Sequence, residues 1–143
     1  MSLAKVNSMG INGINGYIIT VEADLSNGLP AFDIVGLPDT VVKESKERVR
    51  AAVKNRNYEI PVKRITVNLA PADRKKEGAV YDLPISVAIL CASGQVDEKA
   101  TEDCAFLGEL SLDGELRGVN GILPMVISAR DAGIKTIFLP FEN

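Results

Sequence analysis

The stretch Ile65–Leu90, ITVNLAPADRKKEGAVYDLPISVAIL, decides the fold. Arg64–Leu69 reads as a strand, Pro71–Gly78 as a polar loop that cannot itself be core, and Leu83–Cys91 as a buried helix. Pro84 is tolerable only in the first turn of that helix, which puts its start near Tyr81 or Asp82. A strand, a charged loop ending in glycine and a buried helix make the layout of an active-site loop. Yet the positions after Gly78, where a nucleophile would be held, read Ala79-Val80-Tyr81 and carry no Ser, Cys or Thr.

Upstream, AKVNSMGINGINGYIITVEAD gives a short strand, an Asn/Gly-rich turn and an alternating run from Tyr17 to Asp24. Gly13, Asn15 and Gly16 are candidates for the positive-φ positions of a tight hairpin. A third strand, Ala31–Val35, follows the turn Ser26-Asn27-Gly28, and the three together predict an antiparallel meander. Pro38 and Asp39 mark a helix start, with Asp39 or Thr40 as cap, and the helix is predicted to run to Lys54. Val42, Ser45, Val49, Ala52 and Val53 form its inward stripe, while Lys43, Lys46, Glu47, Arg50 and Lys54 fall largely outside it.

Downstream, Ala105–Leu110 and Leu116-Arg117 read as a hairpin around the turn Leu112-Asp113-Gly114. A helix over Ile122–Asp131, closed by Gly133, and a strand over Thr136–Leu139 follow. The chain stops soon after that strand, at Asn143, and is expected to be one domain, 1–143, of a longer protein. With 46% apolar residues but only 5% aromatic ones, the core must come from Val, Ile, Leu and Ala, which suits an α/β domain.

Composition removes several kinds of chemistry. The absence of His excludes Ser-His and Cys-His catalysis, and the scattered Cys and carboxylates show no zinc-binding spacing. Cys91 and Cys104 read as buried, reduced thiols. No apolar run approaches the roughly 18 residues needed to span a bilayer, and no secretory signal is visible, so a cytoplasmic protein without membrane partners is expected. The net charge of −3 hides an asymmetry: eleven Lys or Arg face four acids between Lys43 and Lys76, a balance of +7 that leaves −10 for the rest. Such a block can steer a phosphate backbone, although basic residues on an amphipathic helix are commonly just solvated.

Two stretches carry a resemblance. GELSLDGELRGVNGILPMVISARDAGIKTIFLPFEN, Gly108–Asn143, is similar to the end of the Lon proteolytic domain, and the segment from Arg74 resembles its active-site loop. The N-terminal domain of the ComM/YifB family of magnesium-chelatase-like AAA+ proteins is a closer resemblance. It covers essentially the whole chain, including GINGY at 13–17, FDIVGLPDTVVKESKERVRAA at 32–52 and ITVNLAPADRKKEGAVYDLPIS at 65–86. The resemblance implies a mixed α/β (α+β) sheet with a left-handed βαβ crossover, as in the Lon domain, the C-terminal domain of RadA and the second domain of ribosomal protein S-five. It also implies a AAA+ module elsewhere in the protein, assembly into hexameric rings, and a role in DNA branch migration during natural transformation.

Lon cleaves peptides with a Ser-Lys dyad. Laid on its pattern, this chain has Val80 at the nucleophile position and Leu123 at the base position, two aliphatic residues that can neither attack nor move a proton. The resemblance therefore implies a non-catalytic accessory domain, with its own AAA+ module, neighbouring ring subunits and DNA as partners. No G-x-x-x-x-G-K-[ST] phosphate loop is present, so no cofactor is expected in this chain, and ATP and Mg²⁺ belong to the AAA+ module. Candidate phosphate contacts are Lys43, Lys46, Arg50 and Lys54 on the helix, with Arg74, Lys75 and Lys76 in a loop taken to be exposed. The alternatives are a Lon-like ATP-dependent Ser-Lys peptidase and a stand-alone interaction module.

Overall fold

A computed structural model describes residues 2–143; Met1, the first residue of the domain expected over 1–143, lies outside them. The strands β1 (Ser2–Asn12) and β2 (Asn15–Ser26) form a long antiparallel hairpin, paired from Ser2 with Leu25 to Asn12 with Asn15. Its turn is Gly13-Ile14, and Gly13 alone takes the left-handed conformation, at φ 68°. Asn15 and Gly16, expected to share that role, already belong to β2.

The third strand departs from the predicted meander. β3 (Ala31–Val35) pairs parallel with β4 (Arg64–Ala70), and β4 pairs antiparallel with β2. Alternation of apolar and polar residues fixes which face of a strand is buried, but it does not name the neighbour. The chain between β3 and β4 is long enough to cross over through a helical layer, and parallel pairing needs such a connection. On the other side of β1 lie β5 (Cys104–Phe106) and β8 (Thr136–Phe138), each added in parallel, giving the order β3-β4-β2-β1-β5-β8.

The crossover helix is interrupted where one continuous helix was predicted. α1 (Thr40–Lys43) ends at Glu44, and α2 (Ser45–Asn55) begins beside it, with a tight bond from the Glu47 N–H to the Glu44 carbonyl at 3.0 Å. The inward stripe is as the spacing predicts: Val42, Ser45, Val49, Ala52 and Val53 are all buried. Asp39 caps the first turn, its Oδ1 accepting from the Val42 N–H at 2.7 Å. α3 (Asp82–Ala92) buries nine of its eleven residues and touches β1, β2 and α2, with Pro84 in its first turn.

One sheet face, with Ala4, Val6, Val21, Ala23, Val67 and Leu69, is buried in the core with α2 and α3. Among the described residues, the opposite face is covered by a helix at the hairpin-turn end. There α4 (Ile122–Asp131) packs against β2, and the Gly16 N–H donates to Ser128 Oγ at 3.0 Å. The rest of that face stays polar, with Lys5 3.5 Å from Glu22 and Asn68 donating to Glu22 at 2.8 Å.

The strand predicted over Ala105–Leu110 is divided at Leu107-Gly108. The Gly108 N–H turns away from the sheet to the Val80 carbonyl at 2.9 Å, and its own carbonyl accepts from Leu83 at 3.1 Å. The chain then forms a separate ribbon, β6 (Glu109-Leu110) with β7 (Leu116-Arg117), beside the start of α3. Both cysteines are buried and unpaired. Among the described residues, no helix is long and apolar enough to cross a membrane.

Candidate functional site

The parallel strands β3 and β4 end side by side, and the segments that leave them, Gly36–Asp39 and Pro71–Gly78, are tied together. The Lys76 N–H donates to the Leu37 carbonyl at 3.0 Å, and the Asp39 N–H donates to the Lys76 carbonyl at 2.9 Å. Asp39 Oδ2 also accepts from the Gly78 N–H at 3.2 Å, so a single carboxylate caps α1 and closes the loop.

Lys76 corrects the sequence reading. The sequence predicts it in an exposed loop as a phosphate contact, but its exposure is 0%. Its Nζ donates to the Gly36 carbonyl at 2.8 Å and to the Pro71 carbonyl. Burial lowers its pKa, nearby Arg74 lowers it further, and Asp73 partly restores it. A side chain enclosed in this way cannot touch a nucleic acid.

The other basic candidates reach solvent at two places. Arg74 lies over the Tyr17 ring, 4.3 Å from its centroid, and Lys75 sits 3.7 Å from Glu77; both cations are exposed. Lys43, Arg50 and Lys54 are exposed on the outer side of α1 and α2, and Lys46 is half-buried. Arg50 is braced by Glu47 at 3.7 Å and lies 5.4 Å above the Phe32 ring.

Between this loop, the hairpin tip and the segment before α4 runs a groove of about 570 Å³. Ile11 and Asn12 line it from the hairpin, Lys75, Ala79 and Val80 from the loop, and Met125 from α4. Val80 is 6% exposed and stands where a nucleophile would face this space. Leu123 is not part of the groove wall and is 70% exposed on α4, so the two aliphatic positions do not converge on it. Two serines outside the groove, Ser86 and Ser111, are engaged locally: Ser86 Oγ donates to the Leu83 carbonyl at 2.7 Å, and Ser111 Oγ donates to Asp113. Asn120 lines the groove, whereas Asp113 belongs to the β6–β7 turn.

Behind the groove wall lies a cluster the sequence reading did not identify. Asp82, fully buried at the start of α3, accepts from Ser45 Oγ at 2.6 Å, Arg48 Nε at 2.6 Å, Arg48 Nη2 at 3.0 Å and the Leu110 N–H at 3.1 Å. The bond to Asp82 is the main cause of a raised Arg48 pKa. The signal was a polar residue, Ser45, inside an otherwise apolar stripe.

Tyr81 adjoins the same wall, and its phenol pKa is raised, chiefly by burial and then by the charges of Tyr17, Asp39 and Glu77. Its neutral form therefore contributes stability that is fully present below pH 10 and is lost as pH climbs from there toward the folded-state value. In an absorbance titration at 295 nm, Tyr81 should ionise only as the chain unfolds. Tyr81→Phe should remove that late component; if the component persists, the assignment fails.

The sequence model of the family described as subunit ChlI of Mg-chelatase matches residues 21–143. The chain is 49% identical to the competence protein ComM of Haemophilus influenzae, over 91% of its own length and 26% of that protein's. It is 50% identical to the protein YifB of Salmonella typhimurium, over 100% of its own length and 28% of that protein's. To the Lon protease of Methanosphaera stadtmanae it is 31% identical, over 96% of this chain and 17% of that one. The chain thus spans about a quarter of the length of the ComM and YifB relatives.

Proposed function

The chain belongs to the family of the ChlI subunit of Mg-chelatase, within which it groups with the ComM and YifB proteins and has a Lon-like mixed α/β fold, and from that premise we propose that it is a non-catalytic accessory domain. It supports the ring assembly of a AAA+ ATPase and gives that ring a surface for DNA or a partner. The parent protein is a cytoplasmic motor that moves branched DNA during transformation, a role in keeping with the name of its ComM relative. ATP and Mg²⁺ are held by a AAA+ module outside these residues. The residues present do not fit that cofactor, because no phosphate-loop glycine–lysine–hydroxyl sequence occurs among them.

The observation that carries this reading is the chemistry of the groove. Its lining residues include Ala79, Val80, Val119 and Met125, and no Ser, Thr, Cys or His is among them. A Ser-Lys peptidase needs a hydroxyl in that wall with a lysine beside it. The exposed loop cations Arg74 and Lys75, with the exposed Lys43, Arg50 and Lys54 and the half-buried Lys46 on the helices, are the groups that would meet phosphates without reading bases.

Fluorescence anisotropy of labelled single-stranded and branched DNA tests the reading. Binding by the chain should weaken steeply between low and physiological salt, and Arg74→Glu/Lys75→Glu should lower affinity at low salt by roughly tenfold or more. Failure to bind at either salt, or equal affinity of the variant, would exclude this loop as a DNA contact and leave assembly as the domain's task.

A further inference from the structure

Five hydrogen bonds hold the base of the Pro71–Gly78 loop, and Lys76 makes four of them. Two are main-chain bonds, to Leu37 and from Asp39, and two come from the ammonium, to Gly36 and Pro71. The bond to Pro71 closes a ring around Ala72–Lys75, so these four residues bulge outward from a fastened base. All four are exposed, and Arg74 is steadied further by Tyr17. None of the ion pairs among the described residues involves Lys76. Its ammonium hydrogen-bonds to backbone carbonyls, an arrangement in which a buried cation holds two loop ends together.

We propose that Lys76 is a positioning residue: its ammonium clips Pro71 to Gly36 and so fixes Ala72–Lys75 as a preformed arch that offers Arg74 and Lys75 to a phosphodiester backbone which Lys76 itself never touches. The proposal rests on the reading of Arg74 and Lys75 as phosphate contacts. Its physical basis is preorganisation, because an arch already ordered does not lose that conformational freedom when a ligand binds. An unclipped arch keeps both charges but presents them in many geometries.

The test uses this chain as wild type and as Lys76→Met, with Lys76→Gln in reserve as a milder neutral variant that retains a donor. Both are checked for cooperative thermal unfolding and studied well below their midpoints. Trypsin cleavage after Arg74 and Lys75 reports the arch without any ligand, and it should accelerate by roughly tenfold when the clip is removed. Affinity for single-stranded DNA at low salt should fall by roughly tenfold in the wild-type background. In an Arg74→Ala/Lys75→Ala background, removing the clip should cause no further loss, because Lys76 acts only through those two residues.

A folded variant cleaved at the wild-type rate overturns the clip. An equal loss of affinity in both backgrounds overturns positioning, since it shows that only the net charge of Lys76 mattered. Absence of DNA binding by the wild type overturns the phosphate ligand and the functional reading with it, while accelerated cleavage in that case still establishes the clip.

Discussion

Asp82→Ala is expected to destabilise the chain by about 3–5 kcal/mol, the range for breaking a buried ion pair by removing one partner. The carboxylate is the acceptor for a hydroxyl, a guanidinium and a main-chain N–H at once, and no other group is placed to replace it. Without it the Arg48 side chain, only 19% exposed, keeps the Val41 carbonyl at 2.8 Å and a distant Glu44 carboxylate at 3.8 Å. Asp82 joins three elements, since Ser45 and Arg48 belong to α2, Leu110 to β6 and Asp82 itself to α3. Thermal unfolding should show the midpoint falling by about 10–15 °C. A double variant, Asp82→Leu/Arg48→Met, should recover much of the loss, because an apolar pair leaves no buried charge unpaired. A loss under about 1 kcal/mol for Asp82→Ala would show that the cluster is hydrated and carries little.

Gly36→Ala should be of similar severity, about 3–5 kcal/mol, from two penalties that add. Gly36 has φ 106°, a conformation that side chains rarely adopt, and a Cβ there would lie 2.2 Å from the Leu69 carbonyl oxygen of the neighbouring strand. Neither strand can yield cheaply, since β3 and β4 are paired in register up to Val35 with Asn68. Gly13→Ala separates the two terms: Gly13 also has positive φ, but nothing lies within 4 Å of a Cβ built there, so only strain of about 1 kcal/mol is expected. Equal stabilities of the two variants in urea titration would show that the contact with Leu69 does not matter.

The elements whose burial follows a short period were legible without a structure. α4 has its predicted bounds, and the stripe shared by α1 and α2 is buried at each named position. What could not be read was set by distant neighbours. The pairing of β3 depends on the route of the helical layer, which alternation does not encode, and the division at Leu107-Gly108 depends on the Val80 carbonyl waiting beside α3. The same limit applies to the candidate site. Lys75 and Lys76 are adjacent and identical in type, yet one lies on the rim and the other is enclosed, because only the second meets the carbonyls at the ends of both β3 and β4. Asp82 stands at a helix start, where the dipole favours an acid in any case, so nothing in its local sequence marks it as a core residue.

The sheet order also bears on how the protein is made. β1 lies in the interior of the sheet, yet its second neighbour, β5, is paired through Asn7 and Ala105, and β5 is in turn flanked by β8 near residue 137. During vectorial synthesis the β1–β2 hairpin can form once Ser26 has emerged, while the other edge of β1 stays open until Cys104–Phe106 have followed. A nascent chain therefore carries an unpaired strand edge between the completion of β2 and the arrival of β5, and this is the interval in which it is most exposed to mispairing with other chains and to capture by chaperones.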